Sequence, residues 1–244
     1  MREEYTAETY PSFGKKYNGE KAIISLTSWK ARINTVSKTL FSLLKQCPGF
    51  HIVLVLSEEE FPRMLDEMPD NLKLFVDNEL IELMFVYKNY KAFKKVLFTM
   101  DKYRTVPVIS ADDDCIYTCN YAQMLFDSWK KEKNKNIRVG LEQVTRFNLN
   151  LLCGYDTLFP PNCFNKFNLS ILNLFINKKL TEDDMLYAIL SKKYNINTKH
   201  LNFHQQKRNK LIACIFHDII NPLSNIRFFD KRSDYFKMKI LLKY

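Results

Sequence analysis

Three consecutive carboxylates are the residues of this sequence best suited to chemistry. Asp112, Asp113 and Asp114 come directly after Val106–Ser110, an apolar run with the composition of a buried strand. In an open α/β sheet, ligands bind just beyond the carboxyl ends of the strands. Adjacent negative charges repel one another unless a cation lies among them, and carboxylate oxygens suit Mg²⁺ or Mn²⁺. The triplet therefore predicts a divalent-metal site, although a solvated acidic turn would explain the same residues.

A second acidic group, Thr181-Glu182-Asp183-Asp184, opens a predicted helix that runs to Tyr194. Thr181 is suited to the N-cap, and acids in a first turn interact favourably with the helix dipole. Asp184 lies three residues after Thr181, where an acid can assist the cap. A carboxylate that faces a cleft can instead accept a proton from a hydroxyl. Both interpretations can hold together, with Asp183 as the candidate base and Asp184 as the candidate cap and second catalytic candidate.

Polar residues after the first predicted strand, Lys21–Thr27, indicate a nucleotide-binding edge. Thr27 and the backbone amides that follow it are candidates for binding a base and ribose. Arg32 is a candidate for binding a diphosphate, because a guanidinium group matches the geometry of phosphate oxygens. A surface arginine without a ligand is the alternative.

The elements that must position these residues alternate along the first half of the chain. Short apolar, β-favouring runs are separated by segments with helical spacing, such as the one in which Val36, Leu40 and Leu43 share a face. This alternation predicts an α/β fold with a mostly parallel sheet and helices on both of its faces. The predicted strands are Lys21–Thr27, Phe50–Leu56, Leu80–Val86, Val106–Ser110 and Ile137–Leu141, the clearest predicted helices are Tyr90–Met100, Tyr121–Lys131 and Thr181–Tyr194, and Leu151–Asn162 is predicted to be a loop.

Composition excludes several classes of protein. The chain has 244 residues, 46% of them hydrophobic, with a net charge of +10 and only 5 glycines, so disordered and collagen-like chains are excluded. No apolar run approaches the roughly 18 residues of a membrane span. The polar N-terminus lacks a signal-peptide core, so we expect a cytoplasmic protein. Zinc-ligand spacing and nucleic-acid-binding motifs are absent, so no nucleic-acid partner is expected.

The C-terminal stretch Arg227–Tyr244 alternates basic residues with aromatic and aliphatic ones. Such a segment can lie at an anionic membrane surface, which would make the protein peripheral at the inner face of the plasma membrane. A terminal helix packed on the domain is the alternative. The predicted division of the chain is residues 1–195 as the α/β domain and residues 196–244 as a helical, basic appendage.

Five segments in order resemble the GT-A-fold glycosyltransferases of bacterial surface polysaccharide and lipopolysaccharide synthesis. They are Ser25–Ile33, Leu56–Pro62, Ser110–Asp114, Leu158–Pro161 and Thr181–Met185, within a resemblance that covers roughly Lys21–Tyr194. The resemblance implies a GT-A-like fold, a nucleotide-sugar donor, and sugar transfer to a glycan or lipid-linked acceptor. It also implies that Asp112 and Asp114 bind Mn²⁺ or Mg²⁺, and that Asp112 and Asp113 help to bind the donor.

The same resemblance gives Lys94 and Lys95, or Lys91, a role on the nucleotide side of the site, and solvated lysines on a helix are the alternative. Glu182-Asp183 followed by Leu186 resembles the pattern of inverting enzymes, which implies that Asp183 is the base. Many members add a C-terminal histidine to the metal, for which His204 and His217 are candidates outside the predicted ligand set. Only Gly154 remains of the glycines that the family has before the Pro160-Pro161 pair, so donor and acceptor specificity are not implied.

Two further functions remain open from the sequence. A sugar-nucleotidyltransferase is a related α/β design, but it requires a glycine-rich phosphate loop near the N-terminus, and residues 1–50 contain none. A non-catalytic basic module that binds a membrane or nucleic acid would leave both acidic groups without a purpose. We therefore predict a metal-dependent, inverting glycosyltransferase.

Overall fold

A computed structural model of the protein describes residues 10–141, 143–146, 149–152, 156–201, 212–214 and 231–242. The strands are β1 Ser12–Gly14, β2 Ala22–Thr27, β3 Phe50–Ser57, β4 Glu82–Val86, β5 Val108–Ser110, β6 Cys115–Tyr117, β7 Ile137–Gly140, β8 Gln143–Arg146, β9 Leu149–Leu152, β10 Thr157–Phe159, β11 Asn197–His200 and β12 Ile212–Cys214. The helices are α1 Val36–Leu44, α2 Asp70–Asp77, α3 Thr99–Lys102, α4 Tyr121–Lys131, α5 Ile171–Asn177, α6 Asp183–Lys193 and α7 Lys231–Leu241, with 3₁₀ turns at Met64–Glu67 and Lys91–Phe93 and a π-helical turn at Lys94–Phe98.

The main sheet has eight strands in the order β1-β4-β3-β2-β5-β10-β7-β11. Strands β4, β3, β2 and β5 are parallel to one another, and β7 is parallel to β11. All eight residues of β3 are buried, as expected for a parallel strand covered on both faces. Because β10 is antiparallel to both β5 and β7, the strands β2, β5 and β7 all end at the same edge.

Helices cover both faces of this sheet. Alternate side chains of each strand point to opposite faces, so Ile24 and Leu54 pack with Leu40 of α1, whereas Ile23 and Val53 belong to the hydrophobic cluster on the other side. Helices α1, α2 and α4 contribute to the first cluster, and α5, α6 and α7 contribute to the second. The predicted α/β class, with a mostly parallel sheet flanked by helices, is confirmed.

Two predicted elements differ from the structure. The predicted loop Leu151–Asn162 contains the end of β9 and the whole of β10, which lies inside the main sheet between β5 and β7. The predicted helix Tyr90–Met100 is a succession of a 3₁₀ turn, a π-helical turn and the start of α3. A π-helical turn inserts an extra residue into the helical repeat, and such turns are frequent at functional sites.

The main sheet continues beyond residue 195, because β11 pairs with β7 in parallel. Further along the chain, α7 packs on the domain through Tyr235, Met238 and Leu242, all buried in the cluster that also contains α6. No helix among the described residues combines the length and the apolar character that crossing a bilayer requires. The division of the chain at residue 195 stays a prediction.

Candidate active site

The acidic triplet lies at the carboxyl edge of the sheet, immediately after β5. Strand β2 ends at the same edge because it pairs in parallel with β5, and the loop that follows it carries Ser28 and Arg32. The π-helical turn with Lys95 packs against β2 and β5, and the first turn of α6 contributes Asp183. Four separate segments therefore place charged side chains around one point.

Arg32 binds two carboxylates of the triplet. Its Nη1 lies 2.6 Å from Oδ2 of Asp114, and its Nη2 lies 3.0 Å from Oδ1 of Asp113. Asp113 is buried and also accepts a hydrogen bond of 2.5 Å from the hydroxyl of Ser28. Burial raises the pKa of Asp113 to about 6, whereas Arg32 and Ser28 lower it. The predicted site residue Arg32 is thus paired with the triplet itself.

Lys95 joins the triplet to the second acidic group. Its ammonium nitrogen lies 2.6 Å from Oδ1 of Asp112 and 3.2 Å from Oδ2 of Asp183. Burial alone would lower the pKa of this lysine, but the two carboxylates raise it well above its usual value. The lysine is therefore charged at neutral pH and bridges two carboxylates that lie 71 positions apart in the sequence.

Two other predicted residues point away from this cluster. Lys94 is buried, and its ammonium group donates to Oδ1 of Asn89 at 2.8 Å and lies 3.5 Å from Glu60. Burial lowers the pKa of Lys94 to about 8, although Glu60 raises it. The hydroxyl of Thr27 donates to the carbonyl of Val55 in β3, so it offers a ligand only acceptor lone pairs.

Asp184 lies beside Asp183 in the first turn of α6 and is half-buried. Helix α6 has Glu182 at its N-cap position and no side-chain capping bond, so the predicted capping role of Asp184 is not observed. Its Oδ1 is buried without a hydrogen-bond partner in the described part of the chain. Burial, with a further contribution from Asp183, raises the pKa of Asp184 well above its usual value, while Lys95 and Arg138 lower it. The surroundings of Asp184 therefore favour its protonated form more than water does.

The sequence analysis did not identify Arg138 of β7, a buried cation near α6. The side chain is fully buried, donates to Oγ of Ser191 at 3.0 Å, and lies with its guanidinium carbon 4.6 Å from the centre of the Phe159 ring. Burial lowers the pKa of Arg138 to about 10, although Asp184 raises it. No sequence signal identifies this residue, because it stands in an otherwise ordinary strand and its partners come from α6.

Three further residues hold the triplet in place. Ser28 donates to Asp113, the hydroxyl of Thr39 donates to the carbonyl oxygens of Asp113 and Cys115, and the hydroxyl of Tyr117 accepts the backbone N–H of Asp112 at 2.8 Å. The position of Ser28 beside Thr27, at the end of a strand, was the one signal that could have identified it. These bonds fix both the backbone and one carboxylate of the triplet.

The carboxylates fit a divalent cation only in part. Asp112 is the most accessible of the three, with its side chain 35% exposed, compared with 15% for Asp114 and 2% for Asp113. Together with Asp183, the triplet supplies four carboxylates against two cations, Arg32 and Lys95, so two negative charges remain when all are ionised. Within the described residues, no group of three or more His, Cys, Asp or Glu side chains is arranged to bind a metal. A divalent ion here would therefore need further oxygen ligands, such as those of a diphosphate, beside the carboxylates.

Both histidine candidates, His204 and His217, lie outside the described residues, as does Gly154.

No protein-family model matches the sequence, and no curated protein matches it. Among solved structures, the chain is similar to the glycosyltransferase GlyE of Streptococcus pneumoniae TIGR4, with 14% identity and a TM-score of 0.46 over 75% of this chain and 46% of that one. TarS 1–349 of S. aureus has 11% identity and a TM-score of 0.47 over 75% and 58%. The mannosyltransferase PcManGT of Pyrobaculum calidifontis, in complex with GDP-Man and Mn²⁺, has 11% identity and a TM-score of 0.48 over 77% and 56%. The matched part of this chain thus spans about half the length of these three chains.

Proposed function

We propose that this protein is a glycosyltransferase that moves a sugar from a nucleotide-diphosphate sugar to a hydroxyl group of a glycan or lipid-linked acceptor. The observation that supports it is the convergence of the acidic triplet, Arg32, Lys95 and Asp183 at the carboxyl edge of the sheet. Carboxylates for a metal, cations for phosphates and a carboxylate for a hydroxyl proton are the groups that this reaction requires. The resemblance found in the sequence favours the same chemistry.

On the donor side, we assign Asp112 and Asp114 to Mn²⁺ or Mg²⁺. A divalent ion bound there would neutralise the charge that develops on the departing nucleoside diphosphate. We assign Arg32 to a phosphate oxygen of the donor, and Asp113, which Ser28 hydrogen-bonds, contacts its guanidinium group. Thr27 and Lys94 remain proposed nucleotide-side residues. The ammonium group of Lys94 contacts Asn89 and Glu60, so its proposed effect on the nucleotide is indirect.

On the acceptor side, we assign Asp183 as the general base. Its side chain retains 16% exposure, and Lys95 fixes the orientation of its carboxylate. A carboxylate within hydrogen-bond distance of the attacking hydroxyl takes the proton as the bond to the sugar forms, and attack from the face opposite the leaving group inverts the configuration. Asp184 remains the second catalytic candidate, next to Asp183 in the first turn of α6.

We also propose that the protein acts in the cytoplasm, at the inner face of the plasma membrane, where a lipid-linked acceptor would be available. Helix α7 is consistent with this, because its inner face is packed on the domain while Phe236 and Ile240 on its outer face are 51% and 75% exposed. Lys237 is exposed beside them, and Lys239 lies on the same helix. Apolar side chains flanked by lysines are typical of helices at anionic lipid surfaces.

The test is a screen of nucleotide-sugars for slow hydrolysis, which requires no acceptor. We expect release of a free nucleoside diphosphate from at least one nucleotide-sugar, dependent on Mn²⁺ or Mg²⁺ and lost in excess chelator. Formation of a nucleotide-sugar from a nucleoside triphosphate would instead show a nucleotidyltransferase. Turnover that persists in chelator would contradict the metal assignment, and an absence of turnover with every donor would contradict the function.

A further inference from the structure

The ammonium group of Lys95 lies between the two carboxylates to which the proposed function assigns the donor metal and the base. It is 2.6 Å from Asp112 and 3.2 Å from Asp183, and only 4% of its side chain is exposed. The backbone holds it there, because the hydroxyl of Ser25 donates to the carbonyl oxygen of Lys95 and lies 2.7 Å from the hydroxyl of Thr99. The most accessible carboxylate of the triplet is thus already bound to an internal cation.

The other two carboxylates of the triplet are likewise paired. Arg32 contacts Asp113 at 3.0 Å and Asp114 at 2.6 Å. A divalent ion that approaches the ligand-free chain meets two fixed positive charges among its ligands, and Coulomb repulsion between like charges is strong in a partly buried site. Among the described residues, no three acidic, histidine or cysteine side chains are arranged to hold the ion by themselves.

We infer that Lys95 takes the place of the metal in the ligand-free protein, and that the divalent ion binds only together with the donor diphosphate. This inference rests on the proposed function. The diphosphate brings the oxygens that complete the shell of the ion, and it brings negative charge that compensates Lys95 when Asp112 turns to the metal. Binding of the ion and binding of the diphosphate are then coupled, and each raises the affinity for the other by the same factor.

The coupling is measurable without turnover. Binding of Mn²⁺ to the full chain is followed by calorimetry in three conditions: Mn²⁺ alone, with inorganic pyrophosphate, and with uridine or guanosine diphosphate. For the unmodified protein we expect weak binding of Mn²⁺ alone, and affinity higher on the order of tenfold or more when a diphosphate is present. Equal affinity for Mn²⁺ with and without every diphosphate overturns the inference.

Substitution of Lys95 tests its part directly. Lys95→Met removes the internal cation, so binding of Mn²⁺ alone should strengthen on the order of tenfold or more, and Mn²⁺ alone should then raise the melting temperature. Lys95→Arg retains the charge and should keep the weak binding of the unmodified protein. Lys199→Met is the matched control, since Lys199 pairs with Glu132 away from the triplet, and it should change neither value.

The two hypotheses fail in different ways. If Lys95→Met leaves the affinity for Mn²⁺ unchanged, the role of Lys95 is overturned even where the donor screen shows hydrolysis. If Lys95→Met does not fold, the comparison of the unmodified protein with and without a diphosphate still decides whether the two bind together, and equal affinities overturn the inference. If the donor screen shows no hydrolysis but Lys95→Met binds Mn²⁺ more tightly, the proposed function fails. The role of Lys95 as the cation that takes the place of the metal is then still supported.

Discussion

Asp183 and Lys95 form an ion pair of 3.2 Å that links the first turn of α6 to the π-helical turn beside β2. The pair joins the start of α6 to the turn that precedes α3 and β5, although these segments lie far apart in the sequence. Because Lys95 also contacts Asp112, displacement of any one of the three side chains alters the electrostatic environment of the other two. The donor side and the acceptor side of the proposed site are therefore physically connected.

The first prediction concerns the donor side. Asp114→Asn should lower metal-dependent release of nucleoside diphosphate by on the order of 10²-fold or more, because it removes a proposed metal ligand and the 2.6 Å partner of Arg32. The circular dichroism spectrum should stay that of the unmodified protein. Asp77→Asn, the same substitution at an exposed position of α2, is the control and should retain full turnover. Normal turnover by Asp114→Asn would remove this residue from the site.

The second prediction separates the two acids of α6. Asp183→Asn should slow transfer by roughly 10² to 10⁴-fold with nearly unchanged donor affinity, because the acceptor hydroxyl loses its base. Asp184→Asn puts an amide of the same shape in place of a carboxyl group whose surroundings raise its pKa, so transfer should persist and stability should change by no more than about 1 kcal/mol. Single-turnover kinetics and urea unfolding measure the two effects. The reverse pattern would make Asp184 the base, and retention of the anomeric configuration would exclude a simple base mechanism.

The third prediction concerns acid stability at the opposite edge of the sheet. Glu82 is buried and binds His51 at 2.8 Å, Lys102 at 2.6 Å and the hydroxyl of Tyr103. Burial alone would raise the pKa of Glu82, but these hydrogen bonds and Lys102 lower it to about 2. A carboxylate whose pKa is lower in the folded chain stabilises the fold above its unfolded pKa of about 4.5. That contribution is lost as the pH falls from about 4.5 to 2.

Glu82→Gln should accordingly reduce the free energy of unfolding by about 3 kcal/mol at pH 7, with a smaller difference from the unmodified protein at pH 3. Urea unfolding at pH 7, 4.5 and 3 measures this difference. Glu132→Gln, which removes a partly exposed partner of Lys199, should cost no more than about 1 kcal/mol at any of these pH values. A difference for Glu82→Gln that does not change with pH would contradict the electrostatic explanation.

The fourth prediction concerns helix α7. The double variant Phe236→Ser and Ile240→Ser removes the exposed apolar side chains and leaves the buried face of the helix intact. It should abolish sedimentation with anionic liposomes, and binding of the unmodified protein should weaken with added salt, because each lysine near the surface contributes about 1 kcal/mol. Truncation is a poorer test, since Tyr235, Met238 and Leu242 belong to the core.

Phe41→Ser is the control for the liposome experiment, because Phe41 is 58% exposed on α1 and distant in sequence from α7. This variant should sediment with anionic liposomes as the unmodified protein does. If the unmodified protein shows no salt-sensitive binding, the role of α7 is structural alone.

The sequence alone determined the first half of the fold and the position of the acidic triplet. Continuous apolar runs such as Phe50–Leu56 predict buried parallel strands, because a strand covered on both faces has no polar alternation. A carboxylate directly after such a strand must lie at the carboxyl edge of the sheet. The prediction that Asp112–Asp114 stand at a ligand-binding edge followed from these local rules.

The tertiary structure alone decided what surrounds the triplet. Strand β10 has only three residues in a proline-rich segment, so its place between β5 and β7 depends on hydrogen bonds from neighbours that are distant in sequence. The two contacts of Lys95 require the π-helical turn and α6 to meet, and the hydrogen bond from Arg138 to Ser191 requires β7 and α6 to meet. Local sequence periodicity carries no information on such contacts, because they arise from the packing of separate elements across the sheet.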